Sequence, residues 1–254
     1  MKFKMIGTTR RAHALTAAAL AASAAAVALI VGQTGVIGAE DDSKRSTAFT
    51  VAGDGSLPSK RPALGEAREP LSTDEVGYAI RIAAADASVP AGATNVRGEA
   101  APQVLYTDIP DADVDAGGRK ALVVLYDYTG NRAYHQLVDL KAGAVTRSKS
   151  AAGLQPPTAA DEADEAIAIA LASSDQPRFV ADFEKAEGVP LVSPEQITYK
   201  AGAWKHDGTT VGGKQCGADR CAQLLVSTAS GAYLNTMDFV VDLSTKKLVE
   251  LERR

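Results

Sequence analysis

The chain has 254 residues with a formal net charge of −4 and a pI near 5.5, so it lacks the excess of positive charge that grips nucleic acid. Hydrophobic residues make up 46% of it but aromatic ones only 5%, which excludes an aromatic-rich interior and calls for a core of Ala, Val, Leu and Ile. With 3 histidines and 2 cysteines, side chains for a metal centre are scarce.

Residues 1–11 carry Lys2, Lys4, Arg10 and Arg11, and an Ala/Leu/Val-rich stretch follows that has no charged residue before Glu40 apart from His13. This is the pattern of an export signal. Thr9-Arg10-Arg11 resembles a twin-arginine signal, and small residues before acidic Glu40 place a cleavage site after Ala39. The competing reading is an uncleaved anchor, because Ala12 to Val31 reaches the ~20 residues that span a bilayer. Its alanine content makes it weakly hydrophobic, which favours residues 1–39 as a cleaved signal. Either way the remainder is expected outside the cytoplasm, touching a membrane only through this segment. Residues 40–69, rich in charge, Gly, Pro and Ser, read as a disordered, flexible tether.

The folded part is expected as two α+β units, 70–153 and 154–254. In the first, Ser72 caps a helix, Glu75 closes a capping box and Leu71 acts as a hydrophobic staple. Val76, Ala79, Ile80, Ala83, Ala84 and Ala87 form its apolar stripe, and the helix should stop before Pro90. Gln103 to Ile109 alternates as a strand, and the acidic segment 110–118 reads as a solvated turn. Its aspartates lack the Gly and Glu that complete a calcium loop. Ala121 to Tyr126 is an unbroken apolar run, expected to be a strand buried on nearly both faces. Thr129-Gly130-Asn131 turns it into Ala133 to Leu140, with Tyr134, Val138 and Leu140 on one face and His135 and Asp139 on the other. Lys141-Ala142-Gly143 leads into a last strand, Ala144 to Lys149.

The second unit repeats this order. Thr158-Ala159-Ala160-Asp161 after Pro156-Pro157 starts a helix striped by Ala163, Ala166, Ile167, Ala170 and Leu171, and Gln176-Pro177 breaks it before a second helical piece from Arg178 to Glu187. Strands are expected over Gln196 to Trp204, Ala222 to Thr228, Thr236 to Leu243 and Lys247 to Leu251. Val138-Asp139-Leu140 and Val241-Asp242-Leu243 each precede a short turn and a final strand, which ties the halves together as a repeat. Val76, Ile80, Leu122, Val124, Ile167, Leu171, Leu225 and Val240 are expected in or near the two cores. Cys216 and Cys221, five positions apart in an exported chain, are expected to form a local disulfide.

Pro70-Leu71-Ser72-x-x-Glu75, the hairpin from Arg119 to Asp139 and the link Gly153-Leu154-Gln155-Pro156-Pro157-Thr158 together resemble the N2 and N3 domains that precede the catalytic domain of copper amine oxidases. The resemblance covers about Pro70 to Glu187 and implies cystatin-like units, each a helix packed on a curved antiparallel sheet. It does not extend to the Cys216–Cys221 loop. The family's three histidine copper ligands and its Asn-Tyr-Asp/Glu quinone precursor have no counterpart here, since only His135 and His206 follow the leader. Both are expected to be ordinary polar residues, His135 on the polar face of a strand and His206 in a turn.

The expected function is therefore an exported, non-catalytic binding or accessory module with no cofactor and no catalytic residue, whose partner is another protein or a cell-envelope component. An exposed sheet edge is one route to such a partner. The alternative is a component of a copper-dependent primary amine oxidase whose catalytic residues lie on another chain. A metal or thiol sensor using Cys216, Cys221 and His206 is a third, outlying reading.

Overall fold

The computed structural model describes residues 57–111 and 118–253. Arg10, Arg11, Ala39 and the middle of the acidic turn lie outside the described residues. Within them the fold is α+β, with two meandering antiparallel sheets that each carry a helix.

In the first unit α1 (Thr73–Ala84) precedes β1 (Gln103–Asp108), β2 (Lys120–Asp127), β3 (Arg132–Asp139) and β4 (Ala144–Ala152), which pair in the order β1-β2-β3-β4. The capping box forms as the sequence predicts: Glu75 N donates to Ser72 Oγ at 3.3 Å and Ser72 N donates to Glu75 Oε2 at 2.8 Å. Leu71 packs beside the core. The helix ends at Ala84, so Ala87 lies beyond it. Its buried face meets Ala121, Val123, Leu125, Tyr134 and Val138, one side of the sheet. The other side, with Leu105, Val124, Tyr126 and Ala133, is closed over by Tyr128 and Ala159, which explains why β2 is apolar along its whole length.

In the second unit α2 (Ala160–Ala172) and α3 (Arg178–Glu187) precede β5 (Ile197–Trp204), β6 (Thr210–Val211), β7 (Cys221–Thr228), β8 (Tyr233–Leu234), β9 (Phe239–Asp242), β10 (Lys247–Glu250) and β11 (Glu252–Arg253). The main sheet runs β10-β9-β7-β5, with β8 paired to the far end of β7, while β6 and β11 form a separate two-stranded ribbon. Ala166, Ile167 and Ala170 of α2 and Phe179 and Phe183 of α3 meet Leu224, Val226, Phe239 and Val241. The start of α2 differs from expectation. Ala159 is the N-cap and offers no side-chain oxygen, so only Glu162 caps, accepting from Ala159 N at 2.9 Å. The Thr158 hydroxyl instead donates to Ala201 O at 2.5 Å, tying the helix start to β5.

Three further placements correct the sequence reading. Leu225, expected in the core, is 51% exposed: Leu224 and Val226 face α2, so strand alternation turns Leu225 away, a fact hidden inside the apolar run. The strand expected from Thr236 is regular only over Phe239–Asp242, because the Thr236 hydroxyl donates across to Leu224 O at 2.6 Å. Residues 57–69, the end of the expected tether, lie against the first unit: Leu57 and Leu64 pack on its core, Arg81 Nε donates to Pro58 O, and Arg68 donates to Pro110 O.

Candidate functional site

Each unit is locked by a buried ion pair that pattern reading does not reveal. Arg119, the residue before β2, donates through Nε to Glu75 Oε1 at 2.7 Å and through Nη2 to Glu75 Oε2 at 2.6 Å, and also reaches the carbonyls of Glu66, Glu69 and Pro70. Arg220, the residue before β7, does the same to Glu162 at 2.9 and 2.8 Å and reaches Pro156 O and Pro157 O. The bidentate bonds from Arg119 are the main cause of a Glu75 carboxyl held at about 2, well below its ordinary value near 4.5. The Arg119 guanidinium places five hydrogen bonds on fixed oxygens and that of Arg220 places four, so these are frame elements rather than catalytic ones.

The two frames meet at Asn131. Its amide donates to Asp219 Oδ1 at 3.0 Å, while its Oδ1 accepts from Ser244 Oγ at 2.6 Å and from Tyr126 OH at 3.3 Å. Tyr128 OH donates to Glu162 Oε1 at 2.5 Å, and Lys246 binds Val96 O and Glu165. Burial raises both the Tyr126 and Tyr128 hydroxyls, so they stay protonated hydrogen-bond donors.

The face of the second sheet turned away from α2 remains to be accounted for. Strand register places Lys200, Gly202 and Trp204 of β5 opposite Leu225, Gln223 and Cys221 of β7, and Tyr233 opposite Ser227, all on that face. At one end Cys216 and Cys221, with sulfurs at bonding distance of 2.06 Å, pack with Val240, Leu251 and Trp204. Beside them Trp204, Asp207, Thr209, Thr210, Gln223, Met237 and Leu251 line a recess of about 330 Å³. At the other end Leu225 and Tyr233 are 51% and 75% exposed, and Met237 in the lining of the recess is 54% exposed.

The histidines are not brought together. His135 lies on β3 of the first unit, whereas His206 follows β5 in the second and places Nε2 3.3 Å from Thr210 O. His135 is also not the solvated residue the sequence predicts: it is half-buried, its Nε2 is enclosed without a hydrogen-bond partner, and burial lowers its pKa. Among the described residues no group of three or more His, Cys, Asp or Glu side chains is placed to hold a metal ion. The described donor set therefore does not fit the copper and quinone that the family resemblance implies. Among the described residues no helix is long and apolar enough to cross a membrane. No protein-family model and no curated protein sequence matches this chain.

Proposed function

We propose that this chain is an exported, non-catalytic binding or accessory module made of two cystatin-like units, arranged like the N2 and N3 domains of copper amine oxidases. The observation that carries the reading is the face of the second sheet turned away from α2, where Leu225 and Tyr233 stand exposed at one end and Met237 is exposed in the lining of a recess at the other. Large apolar side chains clustered on a sheet face cost solvation in the free protein and are used when a partner covers them. The polar side chains nearest the family's chemistry serve the frame instead: Tyr126 bonds Asn131 and Tyr128 bonds Glu162.

The test places a photo-crosslinking amino acid at Tyr233 of the full chain and exposes it to the envelope fraction of its host. A discrete adduct that disappears in Leu225→Asp is expected; adducts of equal intensity in both proteins would overturn the reading. In parallel, the copper-loaded chain is given a panel of primary amines and hydrogen peroxide is measured. No release is expected, and turnover abolished by His135→Ala or His206→Ala would make the protein an enzyme.

A further inference from the structure

We infer that the recess beside the disulfide binds a neutral saccharide, with Trp204 as the platform for a sugar ring. This rests on the reading of the chain as a binding module and gives that module a ligand class.

Trp204 is the single tryptophan of the chain and is held in place from below. It packs with Cys216, Cys221, Val240 and Leu251, and its benzo edge fits over Gly213. A Cβ at Gly213 would stand 2.8 Å from Cζ3 and 2.9 Å from Cη2, so only the missing side chain lets the ring seat there. A ring fixed before binding loses little freedom when a ligand arrives. Aromatic faces are electron-rich, and the C–H face of a pyranose offers the weakly positive hydrogens that complement them.

The walls accept hydrogen bonds. Gln223 commits its Nε2 to Thr236 O at 2.5 Å and Phe239 O at 3.0 Å, which leaves Oε1 as the end of the amide that meets a ligand. Asp207 is oriented by Thr209, whose N and Oγ1 both donate to Oδ1, at 2.9 and 2.7 Å. Thr210 Oγ1 is buried on the wall without a hydrogen-bond partner. An acceptor-rich wall beside an aromatic platform matches a ligand that carries many O–H donors and one apolar face. A phosphate or carboxylate would meet Asp207 and the Gln223 oxygen as repulsion. A lipid chain would leave Asp207, Thr209, Thr210 and Gln223 unpaired. The volume of about 330 Å³ sits at the low end of the ~300–1,000 Å³ that small-ligand sites occupy.

The sheet surface next to the ring is bare. Gly202 lies two residues before Trp204 on the same face and opposite Gln223, and a Cβ there would meet nothing within 4 Å. Gly202 is not in the left-handed region, so a side chain at this position projects into the platform without straining the strand.

The experiment titrates the full chain with three neutral hexasaccharides, cellohexaose, maltohexaose and N-acetylchitohexaose, and reads tryptophan emission, which reports on this site alone. A saturable change with at least one of them is expected, with affinity weakened at least about tenfold in Gly202→Leu at unchanged circular dichroism. Should Gly202→Leu not fold, Asp207→Ala on its exposed turn carries the same expectation. No response across the three sugars, or equal affinity in the variants, would overturn the inference. A chain that ignores all three sugars but still gives the Leu225-dependent adduct at Tyr233 loses the saccharide and keeps the module; loss of the adduct with saccharide binding intact keeps the saccharide site and removes the Leu225–Tyr233 face as the partner surface.

Discussion

Arg220 occupies in the second unit the place that Arg119 occupies in the first. Each immediately precedes the second strand of its sheet, clasps the glutamate that caps its helix, and accepts at its own carbonyl the amide of the leucine in the Val-Asp-Leu turn, Leu140 N to Arg119 O at 3.0 Å and Leu243 N to Arg220 O at 2.8 Å. Asp139 and Asp242 complete the likeness, since the Oδ1 of each accepts from two amides just beyond it. The helix start, the second strand and the turn after the third strand are thus joined in both units through one guanidinium.

Removing one partner of such a pair strands a buried charge. Arg220→Met should cost about 3–5 kcal/mol, because Glu162 is fully enclosed and would keep only its bonds to Ala159 N and Tyr128 OH. The double variant Arg220→Met with Glu162→Leu should lose less than the sum of the two single changes. Urea unfolding of all four proteins measures the coupling.

Acid should attack the first unit through Glu75. Its carboxyl titrates at about 2 in the folded chain against an ordinary value near 4.5, so its contribution is complete above the ordinary value and is lost as the pH falls towards 2. Wild type should therefore lose stability steeply between pH ~5 and ~2. Glu75→Gln should be less stable at neutral pH with a shallower slope in that window, read from melting curves across pH.

Asn131 tests the junction between units. It adopts a left-handed φ of 46° and binds Asp219, Ser244 and Tyr126, so Asn131→Gly keeps the backbone and loses the bonds while Asn131→Ala loses both. A cost of about 1–3 kcal/mol is expected for Gly and a larger one for Ala, with proteolysis in the link 153–157 accelerated in the same order. Equal behaviour of the two variants would contradict the strained-turn account.

The Cys216–Cys221 bridge closes a short ring, so its loss should cost only about 2 kcal/mol. Because the bridge packs beneath Trp204, the pair Cys216→Ser and Cys221→Ser should also alter tryptophan emission and weaken any ligand held in the recess. Thermal melting and emission spectra of the double variant measure both effects.

The helices α1 to α3, the strands β1 to β5, β7, β9 and β10, the Glu75 capping box, the break at Gln176-Pro177 and the repeated Val-Asp-Leu turns were legible in the sequence, because each depends on hydrogen bonds or periodicity among residues a few positions apart, whereas the two-residue strands β6, β8 and β11 were not. What the sequence alone left open was settled only by the packing of distant segments. Glu75 reads locally as a helix cap, yet its partner Arg119 is 44 positions away, and Glu162 lies 58 positions from Arg220. The apolar run Leu224-Leu225-Val226 cannot reveal which of its residues meets α2, since every member is hydrophobic and only the register against β5 assigns the faces. The recess follows the same rule. Trp204 lies on β5, Gln223 on β7 and Leu251 between β10 and β11, and they share a wall because the chain after β10 turns to pair β11 with β6 and packs Leu251 against Trp204.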